Sequence, residues 1–421
     1  MTDVSNTTEL QQWLLRLEAL DPRKIEMGLQ RAQDVWRRMG LRLSAKIVTI
    51  AGTNGKGTTA AILTHLLSTQ GQRVGTYTSP HLLHFRERIS LLSRYATDGE
   101  LVEAFEAVDS AREATPLTYF EFTTLACGYL FAHAGLDVWV LEVGLGGRLD
   151  AVNIFDADVA VVTNIGLDHL DWLGSDRESI AREKAGVFRA GKPAIFASLD
   201  RPKNIDTVAA TLSAKPVFVG REFGIRDNVF WWTGEEGQML EMPIAVPEHT
   251  VKNENLAGAL AAFCYLSECD VSGVIDSDVL SAIAPPGRFQ TERIGTTKVI
   301  FDVAHNEDSA HMLAKRLLAE GLSDCTAVLG VMADKDIAAI VQPLLPIMSR
   351  WVLVTPNSPR AAECSEMESV LHQLGVRSVD IVRSEEPGFV ERVIHQVNTA
   401  VVFGSFYTVA DIMRELRVDI E

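Results

Sequence analysis

The stretch VTIAGTNGKGTTAAILTHLL, residues 48–67, constrains the fold of this chain more than any other. A short β-branched run ends at a glycine-rich turn, and Ala61, Leu63, Leu66 and Leu67 then follow near helical spacing. Strand, glycine turn and helix in this order predict a βα unit whose loop amides and helix N-terminus bind phosphate. The structural alternative is a tight turn that uses glycine only for its backbone angles.

The spacing within GTNGKGT departs from the general phosphate-loop pattern G-x-x-x-x-G-K-[ST]. Ile50 stands six positions before Lys56, where the pattern has glycine, and Gly57 follows the lysine where a hydroxyl residue is expected. The flanking strand and helix still favour a nucleotide site in which Lys56 contacts the β- and γ-phosphates. Because Thr58 comes one step late, a metal ion that accompanies the phosphates needs ligands from elsewhere in the chain.

The rest of the chain alternates short apolar runs with helical patterns, among them RVGTYTS, DVWVLEVG and DVAVVTNIG. This rhythm predicts an α/β fold with a mainly parallel sheet. Residues 200–250 are less regular and predict a small antiparallel excursion, followed by a helix from about Asn253 to Glu268. The Pro-Pro-Gly of APPGRFQ marks a linker, after which the alternation restarts. We therefore predict a domain with the phosphate loop and a parallel sheet over residues 1–286 and a smaller Rossmann-like α/β domain over residues 287–421.

Composition excludes several classes of partner. The net charge of −17 argues against a nucleic-acid partner and against an anionic membrane surface, because both are bound by clustered Lys and Arg. Five cysteines without a C-x-x-C pair favour reduced thiols. The N-terminus lacks the pattern of a signal peptide, and no apolar run reaches the roughly 18 residues of a membrane span. We expect a soluble, cytoplasmic protein.

Polar residues at the ends of neighbouring predicted strands are candidate metal ligands. Ser79 and His81 follow one strand, Glu142 lies within the next, and Asp168 and His169 follow a third. Open α/β sheets bind ligands at the carboxyl ends of their strands, so these side chains are expected near the phosphate loop. A carboxylate in a buried strand needs a cation or hydrogen-bond donors, which makes Glu142 the most informative. Together they predict Mg²⁺ on a triphosphate, with helix caps and surface residues as the alternative.

A second set of residues is ambiguous from spacing alone. Lys184, in the helical REKAGVF, has the pattern of a solvated lysine. Asp302 and His305 follow the strand of FDVAHN, and Ser405 of FGSFYTV stands at another strand-to-helix junction. These three could contact ribose, phosphate or a polar substrate, or could serve as turn and cap residues.

Taken together, these segments resemble the folylpolyglutamate synthase/dihydrofolate synthase family of the Mur-ligase superfamily, which are ATP-dependent amide ligases. The resemblance covers nearly the whole chain through IEMGLQR, GTNGKGTT, TSPHL, FRERI, TYFEF, EVGLGGRLDA, TNIGLDH, EKAGV, KNENLAGA, PGRFQ, DVAHN and FGSFYTV. The late hydroxyl of GTNGKGT is similar to this family's own form of the loop. One departure is Glu307 in HNEDS, where the family commonly has proline.

The resemblance implies a set of site residues. For ATP they are Thr53, Asn54, Gly55, Lys56, Gly57, Thr58, Asn253, Arg288 and Asp302. For Mg²⁺, with two ions expected, they are Ser79, Glu142 and His169. For the pterin substrate they are Ile25, Glu26, Met27, Gly28, Thr118, Tyr119, Phe120, Glu121, Leu149, Asp150 and Ala151, and for glutamate His305 and Ser405. Lys184 resembles the family's carbamylated lysine, and the expected catalytic residues are Lys56, Lys184 and His305.

The activity that the resemblance implies is ATP-dependent addition of L-glutamate to dihydropteroate and to the γ-carboxylate of reduced folates. The reaction would pass through an acyl phosphate, which closure of two domains would shield from water. The alternatives are a folylpolyglutamate synthase alone, a UDP-muramoyl amino-acid ligase, a phosphotransferase and an ATP-binding regulator. Only about 45 residues precede the first predicted strand, too few for the nucleotide-sugar domain usual in UDP-muramoyl ligases. A monomer is the family expectation.

Overall fold

The computed structural model describes residues 8–20, 28–234, 237–244, 251–267, 275–377, 381–384 and 388–420. The chain divides into two compact units, the larger formed by residues 1–81 and 86–283 and the smaller by residues 82–85 and 284–421. The division at Ile283 and Ala284 lies three residues before the boundary predicted from the sequence. Residues Leu82–Phe85 belong to the smaller unit although they lie far from the rest of it in the sequence, and no sequence pattern predicted this.

The larger unit contains a mainly parallel sheet with helices around it. Its sheet strands are β1 Lys46–Ala51, β2 Val74–Tyr77, β3 Ile89–Leu91, β4 Arg94–Tyr95, β5 Val138–Glu142, β6 Val159–Val162, β7 Pro193–Phe196 and β8 Lys215–Phe218. Its helices are α1 Glu9–Glu18, α2 Gln30–Met39, α3 Lys56–Thr69, α4 Asp98–Arg112, α5 Tyr119–His133, α6 Leu170–Leu173, α7 Arg177–Lys184, α8 Ile205–Thr211, α9 Asn253–Leu266 and α10 Ser277–Ala282.

Strand β1 occupies the middle of this sheet. Among the described residues the strand order is β4-β3-β2-β5-β1-β6-β7-β8. All neighbours from β2 to β8 pair in parallel, and β3 and β4 extend one edge antiparallel. Ile47 to Ala51 are all buried, as expected of a parallel strand with helices on both faces. The predicted α/β fold with a mainly parallel sheet is confirmed.

Helices α3 and α9 form one face of the core with the sheet. Leu63 and Leu66 of α3 pack in one apolar cluster with Leu260 and Phe263 of α9 and with β-branched residues of the central strands. Each such buried side chain contributes about 1.5–3 kcal/mol to folding. This packing fixes α3 against the sheet, and with it the loop at the N-terminus of the helix.

The predicted antiparallel excursion is confirmed as a separate small sheet. Its strands are β9 Phe223–Arg226, β10 Val229–Thr233 and β11 Met239–Pro243, in the order β11-β10-β9 among the described residues. Asp227 and Asn228 connect β9 to β10, and both have positive φ, as a two-residue hairpin turn requires. Phe230 and Trp232 alternate inward from β10 into the core beside α9.

The smaller unit is a second α/β layer structure. Its strands are β12 Arg288–Ile294, β13 Thr297–Asp302, β14 Cys325–Leu329, β15 Met348–Val354, β16 Ile381–Ser384 and β17 Thr399–Phe403. Its helices are α11 Glu307–Ala319, α12 Ile337–Val341, α13 Cys364–Gln373, α14 Phe389–Ile394 and α15 Phe406–Glu415. Among the described residues the sheet order is β12-β13-β17-β14-β15-β16, with β12 antiparallel and the others parallel.

The thiols differ in part from the expectation. Cys127, Cys325 and Cys364 are free, whereas Cys264 is disulfide-bonded, which corrects the prediction of reduced thiols for that residue. A disulfide needs two Cα atoms about 4.4–6.8 Å apart, and the spacing of cysteines in a sequence does not reveal that distance. In the described part of the chain, no helix combines the length and the apolar character that crossing a bilayer needs.

Candidate active site

The loop between β1 and α3 has backbone angles that only glycine adopts readily. Gly52 has φ +146° and Gly55 has φ +82°, and a Cβ atom at Gly52 would stand 1.8 Å from the Thr163 hydroxyl oxygen. Gly55 occupies the position just before α3, which begins at Lys56 without a capping side chain. The first amides of α3 are therefore left for an anion, and the helix dipole favours negative charge there.

The segment after β6 holds this loop from the side. The amide of Thr53 donates to the carbonyl oxygen of Asn164 at 3.1 Å, and the amide of Asn54 donates to the Asn164 side-chain oxygen at 2.8 Å. The Thr163 hydroxyl donates to the carbonyl oxygen of Asn54 at 2.6 Å. Two consecutive residues of the turn, Thr53 and Asn54, are thus bonded to the end of the neighbouring parallel strand, which preorganises the loop.

Lys56 folds back over the loop that it follows. Its Nζ donates to the carbonyl oxygens of Gly52 at 3.1 Å and Thr53 at 3.3 Å. These bonds place the ammonium beside the amides at the start of α3, where a phosphate group would be bound by both.

Lys184 is buried, which rules out the solvated lysine that its spacing alone suggested. Its side chain is 5% exposed, and its Nζ donates to the Gly52 carbonyl oxygen at 2.9 Å. Burial, and less strongly the charge of Lys56, lower the pKa of Lys184 to about 7, against the opposing effect of the negative charges of Asp168 and Asp150. The unprotonated, nucleophilic form of this amine is therefore accessible near neutral pH.

The predicted metal ligands follow neighbouring strands at the same sheet edge. Tyr77, the last residue of β2, pairs with Leu141 of β5, so Ser79 lies close to Glu142. The Ser79 amide donates to Glu142 Oε2 at 3.1 Å, and the Glu142 side chain is buried at the end of β5. His169 follows β6, with a left-handed backbone at φ 54° and an exposed ring.

The donor set at this edge suits a divalent cation. It offers a carboxylate at Glu142, a hydroxyl at Ser79 and an imidazole at His169, a mixture that Mn²⁺ and Mg²⁺ accept together with phosphate oxygens and water. Among the described residues, no group of three His, Cys, Asp or Glu side chains is arranged as a metal site.

The TYFEF motif begins helix α5. Thr118 caps the helix, its hydroxyl accepting from the Glu121 amide while Glu121 accepts from the Thr118 amide. Glu121 is buried and forms an ion pair with Arg31 of α2 at 3.1 Å. The ring of Phe120 lies so close to Gly144 that a Cβ there would stand 2.6 Å from it. Glu121 thus connects α5 to the segment after Gly28, while Ile25, Glu26 and Met27 lie outside the described residues.

The rings of Tyr119 and Phe120 are half-buried on the first turn of α5. The guanidinium of Arg88 lies 5.5 Å from the centre of the Tyr119 ring, and its Nε donates to His81 Nδ1 at 2.7 Å. Phe120 lies 6.0 Å from the ring of Tyr77. Aromatic faces of this kind are suited to stacking against a flat heterocycle such as a pterin.

Asp150 organises the loop after β5. Its two oxygens accept from the amides of Leu145 and Val152, each at 2.9 Å, and burial raises the pKa of this carboxyl to about 6 against those amide hydrogen bonds. Leu149 and Ala151 flank it, half-buried and buried. In this arrangement Asp150 shapes the loop that carries Leu149, a role that the motif alone did not reveal.

His305 and Asn306 begin α11 in the smaller unit. Asn306 caps the helix by accepting from the Ser309 amide at 3.1 Å, and Glu307 stands at the first helical position. An acidic residue there is favoured by the helix dipole, so Glu307 replaces proline without disturbing the helix start. His305 Nδ1 lies 2.9 Å from the Val303 carbonyl oxygen, and because a carbonyl oxygen only accepts, Nδ1 is the donor.

Ser405 has the geometry of a cap. It is buried, its hydroxyl oxygen accepts from the Thr408 amide at 3.0 Å, and it lies 2.7 Å from the Thr408 hydroxyl. Since the Thr408 hydroxyl donates to the carbonyl oxygen of Gly330 at 2.6 Å, the proton of Ser405 is directed to Thr408. Its hydroxyl therefore stabilises the start of α15.

Arg288 and Asp302 lie side by side on paired strands of the smaller unit. They are opposite each other in the antiparallel pair β12–β13. Burial raises the pKa of Asp302, and the positive charge of Arg288 opposes that rise. Asn253 begins α9 in the larger unit and is exposed.

Comparison with known proteins agrees with this geometry. Residues 50–237 match the Mur ligase middle domain, and residues 287–405 match the Mur ligase glutamate ligase domain. The chain is 41% identical over 409 residues to the dihydrofolate synthase/folylpolyglutamate synthase of Escherichia coli K12, covering 96% of this chain and 94% of that protein. The chain belongs to the dihydrofolate synthase/folylpolyglutamate synthase family. Members of this family are ATP-dependent ligases, and this chain is one of them.

Solved structures of the family resemble the chain over its whole length. The structure of Escherichia coli FolC in complex with DHPP and ADP has a TM-score of 0.86 at 39% identity, covering 98% of each chain. A bifunctional folylpolyglutamate synthase/dihydrofolate synthase with Mn, AMPPNP and L-glutamate bound has a TM-score of 0.86 at 40% identity, covering 98% of this chain and 99% of that chain.

Three further residues of this family member belong to the loop region, although none was among the site residues expected from the sequence. Thr163 and Asn164 bond the loop, and the buried Asn255 amide lies where a Cβ of Gly55 would be, 2.2 Å away. Asn255 had a signal, since it is a polar residue inside the otherwise apolar helix pattern NENLAGALAAF. Thr163 and Asn164 begin the motif TNIGLDH at a strand end, but their hydrogen bonds to the loop could not be predicted from that motif.

Proposed function

We propose that this chain couples L-glutamate to dihydropteroate and to the γ-carboxylate of reduced folates, with conversion of ATP to ADP and phosphate. The observation that carries the proposal is one edge of the larger sheet. There the glycine loop and Lys56 follow β1, Glu142 ends the adjacent parallel strand β5, and Lys184 of α7 donates to the Gly52 carbonyl oxygen of the loop. An edge with amides, ammonium groups and a carboxylate suits phosphoryl transfer to a carboxylate acceptor. The name of the Escherichia coli relative, which includes both synthase activities, supports the pair of acceptors.

The chemistry joins a carboxylate to an amine through an activated intermediate. A carboxylate oxygen of the acceptor attacks the γ-phosphorus of ATP, and ADP leaves with the bridging oxygen. The amine of glutamate then attacks the acyl carbon to form a tetrahedral intermediate, which expels phosphate and loses a proton to give the amide. Lys56 and the loop amides stabilise negative charge on the transferring phosphoryl group.

We assign the nucleotide and metal roles as the resemblance implies. ATP contacts are Thr53 to Thr58, Asn253, Arg288 and Asp302, and metal ligands are Ser79, Glu142 and His169. A divalent ion held there would neutralise charge on the phosphate oxygens. The depressed pKa of Lys184 supports carbamylation, because an unprotonated amine can attack CO₂, forming an N–C bond and releasing a proton. The added carboxylate would serve a second Mg²⁺.

His305 is proposed to receive the incoming glutamate. Its Nδ1 donates to the Val303 carbonyl oxygen, which orients the ring and leaves Nε2 as the ring nitrogen that would contact glutamate. Ser405 is proposed to have an indirect role in glutamate binding, because it stabilises the start of α15 and makes no direct contact with glutamate. We further propose that the protein is a cytoplasmic monomer whose partners are its small-molecule substrates.

The pterin ring is proposed to stack near Tyr119 and Phe120. The half-buried rings and the adjacent loop from Leu149 to Ala151 support this place. Thr118 and Glu121 hold the first turn of α5, and Gly28 with Ile25, Glu26 and Met27 would complete the contacts.

Purified protein is expected to consume ATP in a glutamate-dependent reaction with both dihydropteroate and a reduced folate. ADP release and the mass of the product are measured side by side for the two acceptors, and omission of glutamate is the control. Success with reduced folates and failure with dihydropteroate would restrict the activity to folylpolyglutamate synthesis. Turnover only with a UDP-muramoyl acceptor, a stable phosphorylated acceptor, or no ADP release with any acceptor would each contradict the proposal.

Replacing Glu142 by glutamine is expected to raise the Mg²⁺ concentration for half-maximal activity about tenfold or more. The change keeps the size of the side chain but removes the buried charge that would face the cation. Mn²⁺ binding followed by electron paramagnetic resonance gives a second readout. Glu106→Gln, an exposed position on α4, is the matched control. An unchanged metal requirement in Glu142→Gln would remove Glu142 from the metal site.

A further inference from the structure

The strand β12 of the smaller unit begins with a bulge at Phe289. Arg288 pairs with Asp302 and Gln290 with Phe301, so Phe289 has no opposite residue on β13. Its φ is 53°, a left-handed conformation that is costly for an aromatic residue. Bulges redirect neighbouring side chains, and strained conformations of this kind persist only where surrounding contacts hold them.

One contact that holds the bulge is a hydrogen bond to Asp302. The Phe289 amide donates to Asp302 Oδ2 at 2.9 Å, and the Ala304 amide donates to Oδ1 at the same distance. The carboxylate thus joins the bulge on β12 to the residues that follow β13. The position of the bulge and the orientation of the Asp302 side chain therefore depend on each other, so a shift of the bulge would also move the Asp302 carboxylate.

A second contact comes from Arg316 on α11. Its guanidinium lies 4.0 Å from the centre of the Phe289 ring, close enough for a strong cation–π interaction. The Arg316 side chain is half-buried, and its positive charge acts on the Asp302 carboxylate together with that of Arg288. Arg316 thus acts on Phe289 in two ways. Its guanidinium contacts the Phe289 ring, and its positive charge favours the ionised form of Asp302, which accepts a hydrogen bond from the Phe289 amide.

Arg288 uses a different aromatic partner. Its guanidinium lies 5.5 Å from the ring of Phe406, at the start of α15. The bulge therefore separates two successive side chains, Arg288 toward Phe406 and Phe289 toward Arg316. Loss of the Arg316 contact would let Phe289 leave its strained conformation, and the side chain of the adjacent Arg288 would then change its orientation.

We propose that Arg316 is a positioning residue for the nucleotide, holding Arg288 and Asp302 in the orientation that binds ATP through its contact with Phe289. The inference rests on the proposed function, in which Arg288 and Asp302 contact ATP. The positioning role requires no contact between Arg316 and either substrate or nucleotide. The expected result of losing Arg316 is a weaker affinity for ATP without an equal change in the affinities for glutamate and the acceptor. A general loss of stability would not produce this difference.

The test compares Arg316→Met, which keeps an unbranched apolar stem but removes the guanidinium, with Arg316→Lys, which keeps a positive charge. The expected result for Arg316→Met is a KM for ATP raised about tenfold, with kcat and the KM values for glutamate and the acceptor within about twofold of wild type. Arg316→Lys should recover most of the ATP affinity. Lys315→Met, the adjacent exposed position on α11, is the matched control and should leave every constant unchanged. AMPPNP binding measured by calorimetry gives the same comparison without turnover.

Other outcomes separate this inference from the ATP assignment. Equal increases in the KM values for ATP, glutamate and acceptor in Arg316→Met would overturn the positioning role, as would an unchanged KM for ATP. Arg288→Met is measured in parallel. A raised KM for ATP in Arg288→Met alone overturns only the role of Arg316, whereas an unchanged KM in both variants overturns the ATP assignment as well. If Arg316→Met does not fold, Arg316→Gln and Arg316→Lys are compared by the same measurements.

Discussion

Replacing Lys184 by alanine is expected to lower kcat at saturating substrate by about a hundredfold or more. The amine is buried, donates to the Gly52 carbonyl beneath the phosphate loop, and has a pKa of about 7. If it carries a carbamate, the substitution removes both that negative charge and its link to the loop. Turnover is measured with dihydropteroate, ATP and glutamate at saturation, and unfolding is followed by circular dichroism to establish that the variant is folded.

The role of the carbamate is tested by pH and CO₂. As the pH falls through about 7 the Lys184 amine gains a proton and cannot attack CO₂, so activity should decline below that value and depend on bicarbonate. Lys203→Ala, at an exposed position in the same unit, is the control and should keep wild-type turnover. Near-normal turnover of Lys184→Ala would exclude a catalytic role. Full wild-type activity in CO₂-free buffer would exclude the carbamate while leaving the lysine in place.

Replacing Gly52 by alanine is expected to destabilise the protein by about 2–5 kcal/mol and to abolish most ATP binding. The backbone at Gly52 has φ +146°, and a Cβ atom would stand 1.8 Å from Thr163 Oγ1. The loop must move to relieve the overlap, which displaces the carbonyl that accepts from both Lys56 and Lys184. Urea denaturation and AMPPNP binding measure the two effects separately.

A glycine in a different setting provides the control. Gly99, in the first turn of α4, has no heavy atom within 4 Å of the position that a Cβ would occupy, and its φ lies outside the left-handed region. Gly99→Ala should therefore raise the free energy of unfolding by about 0.5–1 kcal/mol and leave ATP binding unchanged. Wild-type stability together with wild-type AMPPNP affinity in Gly52→Ala would show that the loop tolerates another geometry and would contradict the expectation.

The phosphate loop could be predicted from the sequence because its determinants are local. A β-branched run, glycines and an apolar helix within 20 residues specify a strand, a turn and a helix, and these are the elements β1 and α3. The convergence of Ser79 and Glu142 could also be predicted, since parallel strands share one carboxyl edge. The antiparallel excursion was predicted from the loss of regular alternation.

Burial and hydrogen-bond partners could not be predicted in the same way. Lys184 has the sequence context of a solvated helix residue, yet the packing of α7 beside the phosphate loop buries it. Asp150 and Ser405 stand in motifs that suggest ligand contact, yet their oxygens are bonded to nearby amides and hydroxyls. The effect of Glu307 was open, and the structure places it at the first position of a capped helix.

By itself the sequence of this protein determined where the strands end and which polar residues stand at those ends, because strand, turn and helix signals act over a few residues. Only the tertiary structure decided which of those residues are charged, neutral or already bonded. A pKa depends on desolvation and on charges from distant parts of the chain, as at Lys184, where Lys56, Asp150 and Asp168 act together. The bulge at Phe289 likewise depends on Arg316, a residue 27 positions away that no motif connects to it.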